Sequence, residues 1–173
     1  MSGGQNKKPE EQGGSGLVAD VDHLTRRAVQ APIAACLIRA FAEEMGREKA
    51  LEIAGRAIQS DAMQGGRAVA DMYGDNSLKT LARVVREIWA AGDALTVRFI
   101  KETDQRLYFD VTRCRYAEMY EEMGMRDLGF CLSCCRDGSF GEGFNPSIRL
   151  ARKQTIMEGA GFCGFRFVME EGI

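Results

Sequence analysis

Hydrophobic residues in the first half of the chain recur at the spacing of an α-helix. Ile33, Leu37 and Phe41 follow one another every four residues, and similar apolar stripes run over residues 50–73 and 78–89. Because side chains three or four residues apart share one face of a helix, these stripes predict three amphipathic helices that each bury one side.

The ends of these helices are marked by residues that favour helix termini. Asp20 or Asp22 is placed to cap the first helix, and Gly46 is placed to end it. Proline lacks an N–H and clashes with the preceding turn, so we expect Pro32 to interrupt the first helix or to begin a new one. The second helix is expected to continue through Gly65 and its neighbouring glycine towards residue 73.

After Gly92 the pattern changes to an alternation of apolar and polar residues. Leu95, Val97 and Phe99 alternate with polar residues, and residues 107–111 do the same after a polar stretch. Since successive side chains of a strand point to opposite faces of a sheet, these two segments predict a β-hairpin.

The rest of the chain combines a helical segment with a second hairpin. Residues 117–136 are expected to be helical with a break at Gly124, and the glycine-rich residues 137–146 are expected to form a loop. Residues 147–157 and 162–169 predict two further strands. The resulting fold class is α+β, with N-terminal helices packed on a small antiparallel sheet of about four strands and a helical segment inserted between the hairpins.

Length and charge narrow the functional classes. A chain of 173 residues suits one domain, which we place at residues 17–173, after a polar segment, residues 1–16, that we expect to be a disordered tail. The near balance of 23 basic and 25 acidic residues argues against a nucleic-acid partner. No apolar run suits a membrane span or a secretory leader, so we expect a cytoplasmic protein.

Cysteine is concentrated in the C-terminal part of the chain, and in a reducing cytosol such clustering indicates catalysis or metal binding more than a disulfide framework. Cys131, Cys134, Cys135 and Asp137 include a C-x-x-C pair, which is half of a typical zinc site, but no second half follows. We therefore expect no cofactor, and a metal held by cysteines stays open as an alternative.

Cys114 is the best nucleophile on electrostatic grounds. It follows the second predicted strand at the point where a helix begins, and it is flanked by Arg113 and Arg115. The N–H groups of a helix N-terminus and nearby cations both favour a thiolate. The alternative is a thiol with no chemical task.

Strand alternation predicts which side chains of the second hairpin face the core. Arg152 shares a face with Ile148, and a buried guanidinium needs a structural carboxylate or an anionic ligand as its partner. Cys163 shares a face with Phe165 and should be buried, where a thiol is more often inert than reactive. His23, the single histidine, is expected at the surface.

An ordered series of segments in the C-terminal half is shared with one known family. These segments are residues 113–118, Leu128 with Gly129, Cys134 with Asp137, and residues 144–146, 152–159 and 163–167. In them the chain resembles the L-2-amino-thiazoline-4-carboxylic acid hydrolase family, over roughly residues 20–169. Arg115 stands where the family pattern leads us to expect proline, and Cys131 and Cys135 are additional to that pattern.

The resemblance implies a hydrolase that opens a small cyclic amidine, such as L-2-amino-thiazoline-4-carboxylate, to give N-carbamoyl-L-cysteine. Either the Cys114 thiolate attacks the amidine carbon, or Asp137 activates a water to do so. The residues implied are Cys114, Asp137, Cys134 and Cys163 for catalysis, and Arg152, Gln154, Thr155 and Asn145 for binding the small-molecule substrate.

Two other functional classes fit the same sequence. One is a ligand-binding or sensor module without turnover, because fold alone does not fix function. The other is a zinc-stabilised structural domain. The apolar stripes of the N-terminal helices also suit a homo-oligomer, although they equally suit a packed core.

Overall fold

The structure, a computed structural model, describes residues 21–170 as helices packed on a four-stranded antiparallel sheet, so the predicted α+β class is confirmed. The predicted tail, residues 1–16, and the alternative cap Asp20 lie outside the described residues. The helices are α1 (His23–Met45), α2 (Arg47–Tyr73), α3 (Leu78–Val84, continued by the π-helical turn Val85–Trp89), α4 (Arg115–Glu122), α5 (Arg126–Gly129, continued by the π-helical turn Phe130–Cys134) and α6 (Arg136–Phe144).

The first helix runs without a break through Pro32, so the predicted interruption is wrong. Asp22 caps its N-terminus by accepting a hydrogen bond from the Thr25 N–H at 2.9 Å. Proline costs a helix one hydrogen bond, but here buried residues on both sides of it anchor the two halves to the same core. These buried residues are Ala31, Ala35 and Ile38.

The sheet places its two hairpin strands beside the C-terminal strands. Its order is β1-β2-β4-β3, with β1 (Leu95–Glu102), β2 (Arg106–Cys114), β3 (Ile148–Ala151) and β4 (Cys163–Met169). Phe109 of β2 lies opposite Phe165 of β4, and their rings stack with centroids 4.7 Å apart. This aromatic face packs on α3 and α6 and forms one of two apolar cores.

The third strand is shorter than the predicted span of residues 147–157. It pairs with β4 only as far as Ala151, which lies opposite Arg166. Immediately afterwards Arg152 turns to a carboxylate and a carbonyl outside the sheet, and Thr155 caps a short 3₁₀ turn (Ile156–Glu158). Polar contacts of the next residues therefore end the strand where periodicity alone would continue it.

The glycine-rich segment predicted as a loop is instead the helix α6, packed directly against α2. Gly66 of α2 and Gly143 of α6 lie at the contact. A side chain at Gly66 would sit 2.7 Å from the Phe144 nitrogen, and one at Gly143 would sit 2.7 Å from the Met63 Cα. The glycines are thus spaced to let two backbones touch, which overrides their low helix propensity.

A second apolar core lies among α1, α4 and α5, and it meets the first at a seam. Cys114 and Ile156 are partly buried and pack against both cores. Within residues 21–170, no helix is long and apolar enough to cross a membrane.

The α2–α6 contact yields a matched pair of substitutions. Gly66→Ala should destabilise the protein by about 1–3 kcal/mol, because the methyl group would force the two backbones apart. The adjacent Gly65 has nothing within 4 Å of its Cβ position, so Gly65→Ala should leave stability unchanged or raise it by up to about 1 kcal/mol. Urea unfolding of both variants measures the difference, and equal midpoints would contradict the packing described.

Candidate active site

A small cavity, partly open to solvent, is lined by residues of the sheet, α6 and the N-terminal end of α1. Its volume is about 80 Å³, several times the roughly 10–15 Å³ that one water needs. It is lined by His23, Trp89, Leu95, Val111, Cys114, Tyr116, Ser133, Cys134, Asp137, Phe140, Arg152, Cys163 and Phe165. Aromatic walls with a few convergent polar groups are the usual composition of a small-molecule site.

An ion pair between Asp137 and Arg152 forms the polar side of this cavity. Asp137 comes from the first turn of α6 and Arg152 follows β3, and the guanidinium donates to the Asp137 carboxylate and, at 2.7 Å, to the Cys134 carbonyl. The Arg152 side chain is only 9% exposed and lies 4.9 Å over the Phe165 ring. Arg152 is therefore buried with a structural carboxylate as its partner, but it lies beyond the last residue of β3, so its direction is set by Asp137 and not by strand alternation.

Burial and the mutual charges of Asp137 and Arg152 shift the pKa values of both groups. It raises the pKa of the Asp137 carboxyl above its ordinary value of 3.8, although the Arg152 guanidinium opposes the shift. Desolvation works against the charge on Arg152, but the carboxylate of Asp137 outweighs it and raises the pKa of Arg152. Asp137 is thus a carboxylate with increased basicity, which suits a group that must accept a proton.

Three thiols face the same cavity from three different elements. Cys114 stands at the N-cap of α4, Cys134 ends the π-helical turn after α5, and Cys163 begins β4. The Cys163 sulfur accepts a hydrogen bond from the Ile156 N–H at 3.1 Å. Burial raises the pKa of Cys134 and Cys163 above that of an exposed thiol.

The expectation of a thiolate at Cys114 is wrong. Burial raises its pKa to about 11, which outweighs the lowering effect of the α4 backbone N–H groups. The flanking guanidinium groups are bound elsewhere, Arg113 to Glu118 at 2.8 Å and Arg115 to the Gly92 carbonyl at 2.9 Å. Cys114 is therefore a neutral thiol at pH 7, and it needs a base to react as a nucleophile.

One known protein family matches the chain that carries this cavity. The family model of L-2-amino-thiazoline-4-carboxylic acid hydrolase matches residues 26–167, which is most of the chain. The chain belongs to this family. No curated protein matches the chain at a significant level.

The family match contains every residue that lines the cavity except His23. The sequence analysis placed His23 at the surface, but it lies at the cavity. Its Nδ1 is 2.9 Å from the Tyr116 hydroxyl and its Nε2 is 3.3 Å from Arg27. Its uniqueness in the chain is the only sequence signal that could have singled it out.

The partners of His23 fix its tautomer. Arg27 can only donate, so Nε2 accepts and Nδ1 carries the proton. The Tyr116 hydroxyl accepts from Nδ1–H and donates to the Trp89 carbonyl at 3.2 Å. Burial, helped by the neighbouring guanidinium of Arg27, lowers the pKa of His23 to about 4. His23 is therefore neutral and holds Tyr116 in place in the cavity wall.

Three of the residues proposed for substrate binding lie outside the cavity. Gln154 donates to the Phe162 carbonyl at 3.1 Å, and the buried Thr155 donates to Glu158 at 2.7 Å. The Asn145 amide donates to the Asn76 carbonyl at 3.1 Å, at the end of α6. Each of these side chains organises a turn, so we assign none of the three a contact with substrate.

Cys131 and Cys135, the two cysteines that the sequence analysis set apart from the family pattern, also lie away from the cavity. The Cys135 thiol donates to the Cys131 carbonyl at 2.8 Å, and the Cys131 thiol approaches the Leu51 carbonyl at 3.8 Å.

Among residues 21–170, no three His, Cys, Asp or Glu side chains are grouped so that they could hold a metal ion.

The low pKa of His23 predicts an acid-dependent loss of stability. An unfolded histidine takes up a proton near pH 6.5, whereas folded His23 does so only near pH 4, so the unfolded state binds more protons between these values. The free energy of unfolding should fall as the pH decreases from 6.5 to 4. His23→Gln should make this fall shallower in urea unfolding at pH 7 and pH 5. The same pH dependence in both proteins would contradict the burial of a neutral histidine.

Proposed function

We propose that this protein hydrolyses a small cyclic amidine, with L-2-amino-thiazoline-4-carboxylate as the substrate that the family name suggests and N-carbamoyl-L-cysteine as the product. The observation that carries the proposal is the cavity at which the Asp137 carboxylate, the Arg152 guanidinium and three thiols converge. The name of the family to which the chain belongs supports the choice of a thiazoline ring as the substrate.

The shape and lining of the cavity suit a small, flat substrate. Trp89, Phe140 and Phe165 supply aromatic surface, and the Trp89 and Phe140 rings meet edge to face with centroids 5.3 Å apart. A thiazoline ring with one carboxylate needs apolar contact on its faces and a cation at its edge. The cavity offers Arg152 as that cation.

Arg152 is suited to hold the substrate carboxylate while it stays paired with Asp137. A guanidinium has five N–H donors, and Asp137 and the Cys134 carbonyl occupy two of them. A second carboxylate bound to the same guanidinium would lie close to Asp137 and raise its pKa further, because like charges disfavour ionisation. Substrate binding would thereby increase the basicity of Asp137.

In the proposed reaction Asp137 accepts a proton from water as the water oxygen bonds to the ring carbon between nitrogen and sulfur. The C–S bond then breaks, and the proton held by Asp137 passes to the departing sulfur. The other water proton moves from the new hydroxyl group to the ring nitrogen as the carbonyl forms. One water is consumed and no redox partner is needed.

A covalent route through Cys114 uses the same base. Because the thiol is neutral at pH 7, its proton would first pass to Asp137 before sulfur could attack the ring carbon. The two routes therefore share Asp137 and differ in their need for Cys114. We favour the water route because burial disfavours the thiolate.

Loss of the base should remove activity. Asp137→Asn should lower kcat by about 10²–10⁴-fold, the usual contribution of a general base, as measured by mass-spectrometric detection of N-carbamoylcysteine. Cys114→Ser should retain turnover within about tenfold if water attacks directly. Cys131→Ser, outside the cavity, is the matched control. Full activity of Asp137→Asn in a folded protein would refute the assignment of the base.

Replacement of the guanidinium should chiefly affect substrate binding. Arg152→Lys keeps the charge that faces Asp137 but loses the planar fork that binds two carboxylates, so KM should rise by about tenfold. Arg149→Lys, three residues earlier on the exposed side of β3, is the control. An unchanged KM in Arg152→Lys would remove Arg152 from substrate binding.

Two other outcomes would replace the hydrolase proposal. A rise in melting temperature with a cyclic amidine, but without product, would identify a ligand-binding module. Stoichiometric zinc in the purified protein, together with unfolding by a chelator, would identify a zinc-stabilised domain.

A further inference from the structure

The two π-helical turns in residues 21–170 both end at the cavity. Trp89 is the last residue of the turn Val85–Trp89, and Cys134 is the last residue of the turn Phe130–Cys134, with Ser133 directly before it. All three residues line the cavity. Turns of this kind are rare and occur frequently at functional sites. The side chains at their ends are therefore candidates for a part in the chemistry, and Ser133 is the one that has no role so far.

The hydroxyl group of Ser133 has no hydrogen-bond partner within residues 21–170. In that part of the chain no fully buried side-chain nitrogen or oxygen lacks a partner, so the Ser133 oxygen is accessible. Because the half-buried Ser133 lines the cavity, its hydroxyl is available to a molecule bound there. A serine hydroxyl can donate one proton and can accept another through its lone pairs.

The other polar groups at the cavity are bound already or are unsuited to pass on a proton. The Tyr116 hydroxyl accepts from the imidazole N–H and donates to the Trp89 carbonyl. The Trp89 indole N–H can donate, but it has no lone pair with which to accept. The Cys163 sulfur accepts from a backbone N–H at 3.1 Å, and thiols in general are weak donors and acceptors. Ser133 is thus the side chain best suited to receive one proton while it gives up another.

Ser133 lies on the same side of the helical chain as Asp137, four positions before it. Cys135, between them, has helical φ and ψ angles of −64° and −15°, so the π-helical turn passes into α6 without a break. Side chains four residues apart in a helix are neighbours, with Cβ atoms about 5–6 Å apart. A ring carbon attacked by a water that Asp137 activates would therefore lie within reach of the Ser133 hydroxyl.

The proposed hydrolysis includes a proton transfer that Asp137 does not make. As the water oxygen bonds to the ring carbon, the electron pair of the C=N bond moves to the ring nitrogen, which then needs a proton. The new hydroxyl group on the same carbon is the nearest source. A direct transfer would close a strained ring of carbon, oxygen, hydrogen and nitrogen. A second hydroxyl group between the two atoms allows both hydrogen bonds to be nearly linear, which is the geometry that favours transfer.

We propose that Ser133 is a catalytic residue that relays this proton. Its oxygen accepts the proton of the new hydroxyl group while its own proton passes to the ring nitrogen, so the serine ends unchanged. The electron pair left on the substrate oxygen forms the carbonyl, and the C–S bond breaks with its electron pair moving to sulfur. The sulfur then takes the proton that Asp137 holds. This relay rests on the proposed hydrolysis and assigns a residue to one of its steps.

Replacement of the hydroxyl tests the relay. Ser133→Ala should lower kcat for N-carbamoylcysteine formation by about 10²-fold, at the lower end of what a positioned proton-transfer group contributes. KM should stay within about twofold of the wild-type value, because the relay acts only after substrate has bound. Ser133→Thr keeps a hydroxyl group at the same place and should hold kcat within about tenfold of wild type.

Ser139→Ala is the matched control. Ser139 lies on α6 and is half-buried like Ser133, but it does not line the cavity. The control variant should keep the wild-type kcat and KM. Far-UV circular dichroism and urea unfolding establish that all three variants are folded.

Full turnover by a folded Ser133→Ala protein would overturn the relay and leave the hydrolase proposal intact, because the wild-type protein would still form product. Equal losses of kcat in Ser133→Ala and Ser133→Thr would also overturn it, since the shape of the side chain and not its hydroxyl would then matter. A wild-type protein that forms no product from L-2-amino-thiazoline-4-carboxylate would overturn the proposed hydrolysis and the relay with it.

Discussion

The backbone contact between α2 and α6 is the constraint on which the site depends. Only glycine at Gly66 and Gly143 lets the two helices approach closely enough for their main chains to touch. This approach fixes α6 over the sheet, with Phe144 and Gly141 packed into the aromatic core. Asp137 in the first turn of α6 is thereby carried to the cavity. Glycines, which weaken an isolated helix, thus position the Asp137 carboxylate at the cavity.

The Asp137–Arg152 pair links this helical layer to the sheet. Two buried ions of opposite charge are costly to separate, and an unpaired one would be strongly destabilising. The pair therefore defines a single arrangement of the two elements and leaves a polar edge in an otherwise apolar cavity. Cys114 and Cys163 line the same cavity, where burial raises the pKa of their thiols. The chemistry of the site then depends on the carboxylate, since the Nε2 atom of His23 already accepts a hydrogen bond from Arg27.

Sequence patterns were sufficient for the elements that follow one simple periodicity. The second helix through Gly65 and the first hairpin both follow from spacing alone. Tertiary contacts decided the rest. Residues 137–146 read as a loop because glycine is a poor helix former, and the compensating contact with α2 is invisible along the chain.

The residues of the site were predictable only in part, because tertiary contacts also determine their burial and their partners. Cys114, Cys134, Asp137 and Cys163 converge as the resemblance implied, although only the folded chain shows that burial, and not the helix N-terminus, governs the Cys114 thiol. The position of His23 was not predictable, because it results from the packing of α1 against α4, whose Tyr116 lies 93 residues further along the chain.

Burial should make Asp137 a stronger base than an ordinary aspartate, while Arg152 keeps it in place. A pH titration of the Asp137 carboxyl carbon by ¹³C NMR, assigned with the Asp137→Asn variant, measures this basicity directly. We expect a pKa above the ordinary value of 3.8, and a further rise when a substrate carboxylate occupies the cavity. A pKa at or below that value would exclude Asp137 as the general base, because the carboxylate would then be too weak a base to activate water.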